Sequence, residues 1–172
     1  MDLRYYDRAW FAVHVRPHKE HMCAAILRNK GYEEFVPSLR VHSRSGNKQS
    51  YRLPRALFPG YLFCRFNTES KSHLVTTGGV IGIVGFGGTP CCVSEDEMMR
   101  IHSIVDSGVS ATPCPFLAVG QRVELTDGPL RGVQGVLEET KKAHRLIVSI
   151  NLLQRSVAVE VAQEWVTSAR PL

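Results

Sequence analysis

A chain of 172 residues with 44% apolar side chains has room for one domain or two small ones and the composition of a globular protein, not a disordered one. The formal net charge of +5 is uneven: residues 1–66 hold 12 Lys/Arg against 5 Asp/Glu, and residues 67–172 hold 9 against 11. A basic N-terminal half beside a mildly acidic remainder points to an anionic partner on one part only. No apolar run approaches the ~18 residues that cross a bilayer, and residues 1–7 lack the apolar core of a signal peptide, so no membrane association is expected and the chain is expected in the cytoplasm.

The first predicted strand is Trp10 to Val15, with Trp10, Ala12 and His14 on one face and Phe11, Val13 and Val15 on the other. Pro17 then opens a helix over His18 to Lys30, with Met22, Ala25, Ile26 and Asn29 as its buried stripe and Gly31 as its stop. Glu34 to Arg44 reads as a second strand. The polar, basic stretch Ser43 to Ser50 reads as a loop or hairpin tip. Leu57-Phe58-Pro59-Gly60-Tyr61-Leu62-Phe63-Cys64-Arg65-Phe66 joins a tight-turn dipeptide to a strand whose two faces both carry large apolar groups. One face can fill the core of its own domain, and the other must meet a helix or a partner.

Beyond that strand, Thr68 to Thr77 predicts a short helix, Val80 to Phe86 a strand, and Ser94-Glu95-Asp96-Glu97 a capping box. The box opens a helix with Met98, Ile101 and Val105 on one face, ending at Gly108. Residues 109–116, with Pro113 and Pro115, read as a linker. After it, short alternating segments and glycine turns describe a small β-barrel. The expected organisation is α+β: residues 1–108 as a mainly antiparallel sheet with helices, and residues 117–172 as an all-β barrel.

Residue chemistry argues against catalysis. The cysteines at 23, 64, 91, 92 and 114 contain no C-x-x-C, and no histidine pair brackets a glutamate at helical spacing, so free thiols are expected and no metal or other cofactor. Gly85-Phe86-Gly87-Gly88 starts like a dinucleotide loop, but Pro90 stands where the last glycine belongs and no βαβ unit surrounds it.

The ordered set of motifs resembles the NusG family of transcription elongation factors over nearly the whole chain. Trp10-Phe11-Ala12-Val13, Glu20, Phe58-Pro59-Gly60-Tyr61-Leu62-Phe63, and Gly79-Val80 leading to Val84-Gly85-Phe86 are similar to its NGN domain. Gly120-Gln121-Arg122-Val123, Asp127-Gly128-Pro129-Leu130-Arg131-Gly132 and Gly135-Val136 are similar to its KOW domain. Residues 84–90 and 153–160 resemble the specialised UpxY-like antiterminators found with surface-polysaccharide gene clusters; the housekeeping factor is the alternative.

The resemblance implies a non-enzymatic, monomeric factor that docks on the clamp helices of RNA polymerase and disfavours pausing. It places Phe58, Tyr61 and Phe63 on the docking strand and Ser72 and His73, or Thr76 and Thr77, against the polymerase gate region. Arg16, His18, Lys19 and His21 fall where the family meets the non-template DNA strand, with Arg44, Lys48 and Arg52 as a possible extension. The KOW domain would recruit a small-subunit ribosomal protein or the Rho terminator, with Leu130 at an exposed turn. A KOW-type RNA-binding or ribosome-associated module is the rival reading.

Overall fold

The computed structural model describes residues 8–39, 42–45, 48–51, 54–68, 71–116, 120–139 and 144–168. In chain order the elements are β1 (Ala9–Val15), α1 (Glu20–Asn29), β2 (Glu33–Phe35), β3 (Ser38–Leu39), β4 (His42–Ser45), β5 (Lys48–Tyr51), β6 (Arg55–Ala56), β7 (Tyr61–Phe66) and α2 (Lys71–Val75). They continue with β8 (Val80–Ile83), β9 (Gly85–Phe86), β10 (Thr89–Pro90), β11 (Cys92–Val93), α3 (Glu95–Ser107), β12 (Ala111–Pro115), β13 (Gln121–Leu125), β14 (Gln134–Glu139), β15 (His144–Ile150), β16 (Arg155–Val161) and β17 (Val166–Ser168). The chain divides into two compact units. The first joins Met1–Val36, Phe58–Met99 and Ile150–Arg155; the second joins Pro37–Leu57, Arg100–Ser149 and Ser156–Leu172.

The first unit is built on β1. It pairs antiparallel with β7 from Ala9↔Phe66 to His14↔Tyr61, while β11 and β8 flank it and β2 lies on β7. Strand alternation sends Phe11, Val13, Val15, Leu62, Cys64 and Phe66 to one face, where they pack with Cys23, Ala24 and Leu27 of α1 and with Leu74. Each large apolar side chain sealed there contributes ~1.5–3 kcal/mol relative to exposure.

The helix forms where the sequence places it, but it turns a different face inward. Glu20, Cys23, Ala24 and Leu27 are buried, not Met22, Ala25, Ile26 and Asn29, and Met22 is exposed. Glu20 is drawn inward because its carboxylate accepts a hydrogen bond from the Gly60 backbone N–H. The expected strand over residues 34–44 is interrupted at Pro37, which cannot donate to a ladder, and β2, β3 and β4 take its place. The polar stretch at residues 43–50 is an antiparallel hairpin of β4 and β5, from His42↔Tyr51 to Ser45↔Lys48; its tip lies outside the described residues.

The second unit contains a sheet of order β12-β16-β15-β14-β13-β17. β13 pairs antiparallel with both β14 and β17, and β14 with β15. Its core includes Val123, Leu125, Leu146, Ile147, Val148, Val157 and Val159. The segment expected as a linker is not one: Ala111–Pro115 is a strand of this sheet. β12 is the end member of the order, and an edge strand tolerates Pro113 and Pro115 because an edge leaves half its backbone groups unpaired. Gly128, at φ +79°, lies under the Trp165 ring, where an added Cβ would come within 2.7 Å of ring carbons.

Candidate functional site

The second face of the β1–β7 pair carries the rows Trp10 with Arg65, Ala12 with Phe63, and His14 with Tyr61. The Pro59-Gly60 turn that feeds this face is fastened from two sides. Gly60 N–H donates to Glu20 Oε1 at 2.7 Å, and Val15 N–H donates to Gly60 O at 2.9 Å. Gly60 sits at φ +85°, a conformation that disfavours any side chain. The motif glutamate of α1 and the motif glycine of the turn therefore act on one another, and together they set the start of β7.

Three rings were expected on this face as a docking surface, and two of them are core. Phe58 is 1% exposed and Phe63 0%, and their rings meet edge-on at 5.8 Å. An apolar strand face reads the same whether it awaits a partner or is covered within the chain; here it is covered at its centre. Tyr61 keeps partial exposure. Its ring stacks on His14 at 5.1 Å, and the Arg155 guanidinium lies 5.4 Å from its centre. At the other end of the face Arg65 lies over Trp10 at 4.9 Å and donates to both oxygens of Glu95 at 2.6 Å. The face thus ends in an aromatic–cation group at each side of a sealed aromatic centre.

His14, Arg155 and Asn151 were not singled out by the sequence, and Glu97 was read only as part of a capping box. His14 was recoverable, since it alternates with Trp10 and Ala12 on the strand opposite Tyr61. Arg155 and the Asn151–Glu97 pair join residues far apart in the chain and leave no local pattern.

Arg16, His18, Lys19 and His21 are all exposed around the turn between β1 and α1. Arg16 N–H donates to Gly79 O at 2.8 Å, which ties the end of β1 to the segment before β8. His18 holds the left-handed conformation at φ 63°, a costly backbone state for a residue with a Cβ. Ser72 and His73 are exposed on α2, while in the alternative gate segment Thr76 is exposed and Thr77 is buried. Arg44, Lys48 and Arg52 lie where no side chain is described. Leu130 is corrected outright: at 2% exposure it is a core residue of the second unit, because the turn closes by Arg131 N–H to Gly128 O and Gly132 N–H to Leu125 O, folding Leu130 beneath it.

The thiols are not arranged for chemistry. Burial, reinforced by Glu34 and Glu33, pushes the Cys64 thiol up to about 12. Burial and Glu20 raise Cys23, with Lys19 opposing. A thiol held protonated is neither nucleophile nor metal ligand at neutral pH. Among the described residues no group of three His, Cys, Asp or Glu side chains is placed to hold a metal ion, and no helix is long and apolar enough to cross a membrane.

Comparison with known proteins agrees with this layout. The family model described as "Transcription termination factor nusG" matches residues 8–102. The transcription termination/antitermination protein NusG of Escherichia coli is 30% identical over 150 residues, covering 83% of this chain and 81% of the relative. The protein of that name in Pseudomonas aeruginosa is 29% identical over 171 residues, covering 90% and 94%, and that in Rickettsia felis is 28% identical over 167 residues, covering 90% and 86%. Among solved structures, "Domain interaction in Thermotoga maritima NusG" superposes with a TM-score of 0.56 at 22% identity, covering 96% of this chain and 99% of that one, which shows a shared fold.

Proposed function

Since this chain belongs to the NusG family of transcription factors, we propose that it is a non-enzymatic termination/antitermination factor that docks on RNA polymerase through the Tyr61 end of the β1–β7 face and disfavours pausing. The observation that carries this is the position of Tyr61. It directly follows a turn fixed by Glu20, keeps its ring partly in solvent, and is held upright by His14. A half-exposed, preorganised aromatic ring offers large contact area with few rotors to freeze, the pattern of an interface anchor. The clamp helices are the partner we assign to it, with Ser72 and His73 of α2 meeting the gate region.

The exposed side chains of Arg16, His18, Lys19 and His21 are assigned to the phosphates of the non-template strand. Such contacts position a protein without selecting sequence. Arg16→Ala with Lys19→Ala should weaken binding to transcription bubbles of any sequence and flatten its salt dependence. The C-terminal β domain is assigned the recruitment of a small-subunit ribosomal protein or of Rho, and the protein is placed in the cytoplasm as a monomer. A specialised role on surface-polysaccharide operons is assigned from the resemblance of residues 84–90 and 153–160 to UpxY-like antiterminators. Mapping the chromosomal sites where the factor travels with polymerase tests that role. The test of the main reading is a pull-down of full-length protein with core RNA polymerase and, separately, with ribosomes. Retention by polymerase is expected, and retention by ribosomes alone would overturn the reading.

A further inference from the structure

A cavity of about 450 Å³ opens in the first unit, at the end of β7 opposite Tyr61. Its walls come from Arg8, the end of α1 with Lys30 and Tyr32, the end of β7 with Arg65 and Asn67, and His73 of α2. Among the described residues the lining holds two arginines, a lysine and a histidine, and no carboxylate. Arg65 is compensated by Glu95 and, at 4.0 Å, by Glu33. Among the described residues Arg8, Lys30 and His73 have no acidic partner within 4 Å.

Acceptors that could offset this charge are already used. The carbonyls of Ile26, Leu27 and Arg28, the negative end of α1, accept the N–H groups of Lys30, Gly31 and Tyr32. The His73 carbonyl accepts from Lys30 Nζ at 2.9 Å and from the Thr76 and Thr77 hydroxyls. Lys30 Nζ is also held by Thr77 Oγ1 at 2.8 Å, so the ammonium is positioned by neutral atoms and keeps its full charge. Among the described residues the Nε of Arg65 is the buried side-chain polar atom without a hydrogen-bond partner, the condition of a donor that awaits an ion, water or ligand.

We propose that this cavity binds single-stranded nucleic acid, taking a phosphate between Arg8 and Lys30 and a base against Tyr32. A lone carboxylate would leave most of the volume and the aromatic wall unused. A nucleotide unit uses both, since cations that track a backbone and a ring on which a base stacks are the two parts of a strand-binding site. The site is separate from the Arg16–His21 cluster and does not depend on polymerase docking.

The test is fluorescence anisotropy of the full-length protein with a labelled ten-residue oligothymidylate over a salt series. Arg8→Gln with Lys30→Gln should lower affinity at least fivefold and make the salt slope shallower by about 0.7, the value for one single-strand phosphate contact. The same loss should appear in an Arg16→Ala/Lys19→Ala background, which separates this site from the bubble contact. An abasic strand of equal length should bind more weakly, as expected if Tyr32 carries a base. Absent binding by the wild type, or equal binding by the double variant, would overturn the proposal. So would competition by oligoglutamate as effective as that by oligothymidylate, which would assign the cavity to an acidic peptide. If Lys30→Gln lowers the melting temperature, Arg8→Gln alone decides: its side chain is exposed, and unchanged affinity overturns the site.

Discussion

Asn151 donates twice to a single carboxylate oxygen: its backbone N–H and its Nδ2 reach Glu97 Oε1 at 3.0 and 2.6 Å. Glu97 is buried, and a carboxylate there is tolerable only when its oxygens are satisfied. Half of the expected capping box forms, since Ser94 Oγ accepts the Glu97 N–H at 3.2 Å. The other half is diverted, with the glutamate fixing the turn at Asn151 instead of returning to its own cap. Glu97→Ala should therefore cost about 0.5–1.5 kcal/mol, the net loss of hydrogen bonds from partly exposed donors. A double-mutant cycle with Asn151→Ala, read by urea unfolding, should return a coupling above about 0.5 kcal/mol. Strict additivity would show that the two residues act independently.

The Glu20–Gly60 bond gives a second expectation. Glu20→Ala removes the acceptor from a partly buried backbone N–H and should destabilise by about 0.5–1.5 kcal/mol. Glu20→Gln keeps an acceptor oxygen and should recover most of that loss. Thermal melting of the two variants separates them, and equal losses would mean that charge, not the hydrogen bond, is what matters at this position.

Cys64 predicts an alkaline limb. The unfolded thiol titrates near 9 and the folded one at about 12, so above pH 9 the unfolded state releases a proton that the native state keeps. Stability from this group is complete below pH 9 and falls as pH rises from 9 to 12, by up to about 1.4 kcal/mol per pH unit for one proton. Cys64→Ala should be less stable at pH 7 yet lose less between pH 9 and 11. Parallel pH profiles for wild type and variant would contradict the shift.

Gly128→Ala should be poorly tolerated. Its Cβ would enter the Trp165 ring, and its backbone stands at φ +79°. Steric strain and the left-handed conformation together should cost about 2–4 kcal/mol. A quenched or shifted tryptophan emission should accompany the loss, and a variant with native stability and emission would show that the turn rearranges freely.

How much of this was legible depends on whether the deciding contact is local. The alternation of β1 and β7, the Gly31 stop and the Ser94 cap are set by neighbours within four residues, and each was readable. The phase of α1 was not, because Gly60, the partner that draws Glu20 inward, lies 40 residues away. Phe58 and Phe63 were assigned outward for a related reason: two apolar faces on a strand say that both are covered, but not by what. Pro113 and Pro115 suggested a linker, since proline marks loops more often than it marks the edge of a sheet. Leu130 was placed at an exposed turn by its neighbours Gly128 and Pro129, and only the closing hydrogen bonds show the side chain folding under.

The measurement that bears most directly on polymerase docking is the affinity of full-length Tyr61→Ala for core RNA polymerase, beside wild type. Tyr61 is half-buried and its partners His14 and Arg155 remain in place, so the variant should stay folded while binding falls at least about tenfold, or ~1.4 kcal/mol. A folded variant that binds polymerase as tightly as wild type would contradict the assignment of this face.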